Sequence, residues 1–333
     1  MLIEPQAAFE KFAAARQAEV GNTRRDGRLS NDTLTTYRSV WNLWSDWLAG
    51  ERLNWQAASA ADMQRFLLTP QTRAYGAAQT SEVTKRRYWR ILRDVYQVAL
   101  YANQAEANVF ANPWDVGARE LEERAKSMVL RAPEMRRLRA KIEHLLDGLE
   151  SFHAGGHRVA WMEVRDVALL ALLFSTAAKV SEIKMLRPDH VLLRTDSGTG
   201  NEGGIRYVKL ETHRAGAHKV RKLALDAVAS RALTLWREVR AGAALEPGTA
   251  LFIGATRTGA MSAVGLNPAT VFRLVGRFVS ETLPDHHMLH VGPESIRNSV
   301  IWEWMRAGVA ETKILDDAGV QDSKILRRLE RAC

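Results

Sequence analysis

Cysteine is almost absent from this 333-residue chain, with one thiol, at position 333. A lone thiol excludes an internal disulfide framework and any cysteine-based zinc cluster, and it points to a reducing compartment. Long apolar runs are missing as well. The longest, Val167 to Phe174, has the length of a buried helix and falls far short of the ~18–20 residues that span a bilayer. No membrane association is therefore expected. The opening residues MLIEPQAAFEKF carry acids where a signal peptide carries bases, so export is not expected and a cytoplasmic location is. No internal repeat or low-complexity tract stands out.

Positive charge and apolar residues are what the chain has in plenty. Lys and Arg number 47 against 38 acids, a net charge of +9, and 46% of residues are hydrophobic. The length suits two cores better than one. A basic surface attracts polyanions by screened Coulomb forces and by release of phosphate counterions, so nucleic acid is the first partner to consider.

From Asn31 to Ala49 the pattern is helical, with Leu34, Tyr37, Trp41, Trp44 and Leu48 on one face and a capping residue among Asn31 to Thr33. A second helix starts near Ser59 and turns Met63, Phe66 and Leu67 inward. A loop follows, bounded by Pro70 and Gly76. A third helix opens at Thr80 or Ser81 and runs to about Tyr101, with Val83, Tyr88, Ile91, Val95 and Val98 or Ala99 as its inner stripe. Its other face holds Thr84, Lys85, Arg86, Arg90 and Arg93. That face reads either as a solvated surface or as a helix lying on a phosphate backbone. Residues 1–116 thus form a helical bundle ending at Asn112-Pro113, and 117–131 a charged linker. Residues 132–333 form a second domain: a helix after Pro133, a fully buried one over Trp161 to Ala178, short strands at 191–193, 207–210 and 219–225, and helices from Asp226 to the end. The expected class is α+β, mainly α with a small antiparallel sheet.

Two stretches carry a resemblance. Residues 165–191, RDVALLALLFSTAAKVSEIKMLRPDHV, resemble the first signature box of the tyrosine recombinase (phage integrase) family, R-D-x-A, a hydrophobic run, T-G-L-R-x-S-E-L and a closing L-x-x-x-D-hydrophobic. Arg165, Asp166, Thr176, Ser181, Glu182, Leu186 and Val191 fall in place, while His190 stands where the closing Asp belongs. Residues 292–320 resemble the P-H-x-L-R-H box and the helix ending in L-G-H, through Pro293, Arg297, Gly308 and Gly319. The N-terminal bundle is similar to the family's core-binding domain, so the resemblance spans about residues 31–333. It implies a C-shaped pair of domains closing round duplex DNA. In active members two arginines clamp a phosphate whose charge grows in the transition state, a hairpin lysine protonates the leaving oxygen, and a tyrosine attacks. No cofactor or metal is implied.

Position by position this chain departs from that pattern. Lys179 stands at the first arginine, keeping the charge and losing the planar fork. Glu294 stands at the first histidine, Arg297 keeps the second arginine, Asn298 follows it, Val320 replaces the L-G-H histidine and Leu329 the tyrosine; the last tyrosine in the chain is Tyr207. Gapless counting puts Gly216 at the hairpin lysine, with Arg214 and Lys219 nearby as stand-ins. Glu294 and Arg297, three apart on a helix, are close enough to pair. Arg297 reads as a phosphate ligand or as a salt-bridge partner of Glu294 or Glu182, and Lys179 as a phosphate contact. The DNA-binding set is therefore Thr84, Lys85, Arg86, Arg90, Lys179, Arg214, Lys219 and Arg297. His286, His287 and His290 read as a surface loop rather than a metal site, Trp302 and Trp304 as core, and Cys333 not as a substitute nucleophile.

The expectation is a degenerate, non-enzymatic member of the family that binds double-stranded DNA. It would act as accessory factor or regulator in recombination or integration on a mobile element, with an active recombinase or a second copy as partner. Two alternatives stay open. One is a divergent recombinase that takes its tyrosine from a partner subunit. The other is a protein-interaction module that has lost DNA binding.

Overall fold

In the computed structural model, residues 4–18, 29, 31–69, 71–73, 76–78, 82–101, 108–110, 128–193, 205–214, 217–243, 245–246, 248–284, 291–320 and 322–332 are described. They belong to two compact units, residues 1–123 and 124–333. Thr80, Ser81, Asn112-Pro113, linker residues 117–127, Gly216, the histidines at 286–290 and Cys333 lie outside the described residues.

The first unit is built on aromatic spacing. Helices α1 (Pro5–Ala18), α2 (Asn31–Gly50), α3 (Ala60–Leu68) and α4 (Glu82–Ala99) share one core. The three- and four-residue recurrence in α2 buries Leu34, Trp41, Trp44 and Leu48, and Tyr37 packs half-buried beside them. Each fully buried large apolar side chain contributes about 1.5–3 kcal/mol over its exposed state. The polar tips of these rings need partners. Trp44 Nε1 donates to Tyr96 Oη at 3.1 Å, and Tyr96 Oη donates to the Trp55 carbonyl at 2.6 Å. Ser59 caps α3 reciprocally: its hydroxyl accepts from Asp62 N–H, and its own N–H and hydroxyl donate to Asp62 Oδ2 at 2.8 and 2.7 Å.

Two expectations change here. The loop between Pro70 and Gly76 holds a short hairpin, β1 (Gln71–Arg73) paired with β2 (Gly76–Ala78), Thr72 opposite Ala77. Three residues a side give no periodicity to read. On α4 the buried set is Trp89, Ile91, Leu92, Val95, Tyr96 and Ala99, with Tyr88 and Val98 only half-buried. Contacts with α1, α2 and α3 cover more than one stripe of the helix.

The second unit surrounds α6 (Trp161–Thr176), which follows α5 (Ala132–Ala154). Nearly every α6 residue from Val164 to Phe174 is buried, so it carries no amphipathic signal. After α7 (Val180–Met185) come strands β3 (Val191–Leu193), β4 (Ile205–Arg214) and β5 (Ala217–Ala224) in the antiparallel order β3-β4-β5. Leu210 lies opposite Arg221, and Val208 opposite Leu223. Helix α8 (Ala227–Ala241) packs on α6. Helices do not then continue to the end, as the sequence led us to expect. A hairpin of β6 (Ile253–Ala255) and β7 (Met261–Gly265) intervenes, with Gly259 at φ +82° in its turn. No residue of β7 is fully buried, so its sequence lacks the apolar alternation that marks a strand with one face in a core. Helices α9 (Pro268–Thr282), α10 (Pro293–Arg306), α11 (Glu311–Ala318) and α12 (Lys324–Ala332) complete the unit. Leu326 and Leu329 of α12 are buried in the core of their own chain. Among the described residues no helix is long and apolar enough to cross a membrane.

Candidate nucleic-acid interface

Three cationic side chains from three elements converge on one helix end. Lys179 precedes α7, Arg221 lies on β5 and Arg297 on α10. The end they meet is the C-terminus of α11. Arg221 Nε donates to the Asp317 carbonyl at 2.8 Å, Arg297 Nη2 to the Ala318 carbonyl at 2.8 Å, and Lys179 Nζ to the Gly319 carbonyl at 3.0 Å. The last carbonyls of a helix lack intrahelical partners and carry partial negative charge, so cations are their natural complement.

Local sequence explains the convergence. Helix α11 stops at Gly319, whose φ of +62° reverses the chain. A Cβ at Gly319 would stand 2.5 Å from Arg221 Nη1, so the close approach also requires glycine. Helix α6 stops at Ala177, which adopts a left-handed φ of +50° where the recombinase pattern has glycine. That turn aims the Ala177 carbonyl at Arg297 Nη1, which donates to it. It also delivers Lys179 to the start of α7.

One carboxylate sits among the cations. Glu182, buried to 2% exposure, accepts from Arg221 Nη1 and Nη2 at 2.6 Å each and from the Lys179 backbone N–H at 2.8 Å. Burial lowers the Arg297 pKa below the ordinary arginine value, while Glu294 and Glu182 raise it. The pairing expected between Glu294 and Arg297 is marginal: the atoms are 4.0 Å apart and Glu294 is mostly exposed. The main partners of Arg297 are the backbone carbonyls of Ala177 and Ala318, which its buried guanidinium reaches directly.

The other expected residues are placed as follows. Lys219 is exposed and its Nζ donates to Asp316 Oδ1 at 2.8 Å. Arg214 ends β4 opposite Ala217, and its side chain lies outside the described residues. Thr84, Lys85 and Arg86 are half-buried and Arg90 exposed on α4, in the other unit. Val320 is half-buried and Leu329 fully buried, an aliphatic side chain without a hydroxyl. Asn298 is buried and donates to the Met128 carbonyl at 3.4 Å. Arg221 was missed by sequence reasoning. Strand alternation could have found it: Arg221 shares a face of β5 with the core residue Leu223.

No protein-family profile and no curated protein matches the sequence. Solved structures do. One is the XerH site-specific recombinase bound to its difH substrate in a pre-cleavage complex, at TM-score 0.61 and 11% identity over 99% of this chain and 94% of that one. Another is the Tn1549 transposon integrase with a circular intermediate DNA, at 0.56 and 15% over 98% and 94%. A third is a lambda integrase dimer bound to a core site, at 0.53 and 11% over 97% and 76%. These findings correct the expectation of a non-enzyme. The structures that share this fold are recombinases and integrases, one of them caught before cleavage, so the architecture counts toward an enzyme. The chain has the fold of the tyrosine recombinases over nearly its whole length.

Proposed function

We propose that this chain binds duplex DNA as a recombinase-type protein, with residues 132–333 seating a backbone phosphate at the Lys179–Arg221–Arg297 cluster and residues 1–116 adding the basic face of α4. The observation that carries the reading is the cluster's charge at the end of α11: three cations against the buried carboxylate of Glu182 and the exposed one of Glu294, 4.0 Å from Arg297. An anion that gains charge during phosphoryl transfer is the group such an arrangement stabilises. The net charge of +9 and the likeness to DNA complexes support the same reading.

The test is fluorescence anisotropy on labelled duplexes across a salt series. Each phosphate neutralised adds about −0.9 to the slope of log K against log salt, so 6–10 contacts give a slope of roughly −5 to −9. A flat salt response, or no binding at low salt, overturns the reading.

A second part of the proposal concerns the nucleophile. Leu329 is fully buried and aliphatic, which favours a tyrosine reaching the DNA from a partner recombinase on the same mobile element. Nicked suicide duplexes incubated with this chain, with and without a tyrosine-bearing partner, test it on denaturing gels. Covalent DNA is expected on the partner. An adduct on this chain alone refutes a nucleophile supplied in trans.

A further inference from the structure

We infer that the C-terminus of α11 is an internal stand-in for the DNA phosphate, and that duplex DNA must displace it to reach the cation cluster. The inference rests on the reading of that cluster as a phosphate site. Three successive carbonyl oxygens, of Asp317, Ala318 and Gly319, each take a hydrogen bond from a different cation. The cations are otherwise out of reach. Arg297 is 2% exposed and Arg221 7%, while the Lys179 side chain retains 33%. A phosphodiester cannot touch Arg297 or Arg221 while residues 317–319 stand over them.

Charge favours the exchange. Three positive side chains face the buried Glu182 and, at 4.0 Å from Arg297, the exposed Glu294, and the helix end supplies only about half a further negative charge. A phosphodiester supplies a full one, with oxygens that accept charge-assisted bonds more strongly than amide carbonyls do. The segment is also lightly anchored on its outer side. Asp316 is held by the exposed Lys219, and Asp317 by Lys313 within the same helix. Release of residues 317–319 gives up three bonds to neutral oxygens and the burial of Ala318, while Ile314 can stay anchored in the core and Glu182 keeps its two bonds from Arg221. Lys179 is the entry point, because it alone of the three is open to solvent at one edge.

Hydrogen-exchange mass spectrometry of the full chain, with and without a duplex bound at saturation, tests the displacement. Amides of residues 311–320 are expected to exchange faster when DNA is bound, against the usual protection on binding. Unchanged or slower exchange there, with the duplex bound and a steep salt slope measured, overturns the displacement and leaves the phosphate reading standing. Absence of any DNA binding overturns both. Gly319→Ala supplies an independent arm, since its Cβ would collide with Arg221. The substitution is expected to raise exchange over 311–320 without DNA and to tighten DNA binding about fivefold or more, the low end of ordinary site-to-site coupling. Loosened exchange with unchanged or weaker DNA affinity counts against the inference. The wild-type exchange experiment stands on its own if the variant fails to fold.

Discussion

Replacing Glu182 with alanine tests the electrostatic account of the second unit most directly. The carboxylate is buried and accepts from Arg221 Nη1, from Arg221 Nη2 and from the Lys179 N–H, all within 2.8 Å. Its removal takes a bidentate charged partner away from the Arg221 guanidinium, which is itself buried to 7% exposure. Deleting one partner of a buried ion pair costs about 3–5 kcal/mol. For a unit of this size that corresponds to a fall in midpoint of about 6–20 °C. The assay is urea unfolding read by pulsed hydrogen exchange, which follows peptides of 124–333 separately from those of 1–123. A double-mutant cycle with Arg221→Met completes it. Removing both charges is expected to recover much of the loss, because the desolvation of an unpaired guanidinium disappears with it. A loss below about 1 kcal/mol, or strictly additive single and double mutants, would falsify the claim that Glu182 holds the cluster together.

Other outcomes follow from the same geometry. Leu329→Ala is expected to destabilise by about 2–5 kcal/mol, since the side chain is fully buried, and chemical denaturation reads this directly. Leu329→Tyr would overfill that site and cost about 1–3 kcal/mol, so restored tyrosine chemistry is not expected from this single change. Tyr96→Phe removes the acceptor of Trp44 Nε1 and the donor to the Trp55 carbonyl, and a loss of about 1–3 kcal/mol by urea unfolding is expected. The Asp62 carboxyl, hydrogen-bonded by Ser59 and then Arg65, has its pKa lowered to about 2. A carboxylate depressed in the folded state contributes stability above its unfolded pKa of about 3.9 and loses it as pH falls toward 2. In Ser59→Ala an NMR titration of Asp62 should show the midpoint moving up toward 3.9; an unmoved midpoint contradicts the capping assignment.

Much of this architecture was legible in the residues. The α2 face from Leu34 to Leu48 reads directly because one side meets a core and the other meets water. The boundary near Ser59 reads because capping selects few residue types, and the helix end at Gly319 came from the resemblance to the family's L-G-H ending. The two signature boxes pointed to the fold through their resemblance, in residues and spacing, to the recombinase pattern. What stayed hidden has physical causes. The β1–β2 and β6–β7 hairpins are too short or too exposed to leave a period. Trp89, Leu92 and Tyr96 were missed because neighbours on several sides bury more of α4 than one stripe. Arg221 was passed over because gapless counting looked for a lysine at the hairpin tip, whereas the residue that reaches the cluster stands further along β5 on its inward face. The non-enzyme expectation came from weighing single positions above the whole architecture.

The left-handed Ala177 has one more consequence. A side chain bearing a Cβ is held there against a penalty of about 1–2 kcal/mol, and nothing in the residue itself favours the shape. Its carbonyl is instead fastened by Arg297, a side chain 120 positions away in sequence. The bend that presents Lys179 is thus enforced from a distance by another cation of the same cluster. Discharging or deleting Arg297 would let residue 177 relax to an ordinary backbone angle and swing Lys179 away, so two positive groups that look separable would be lost together.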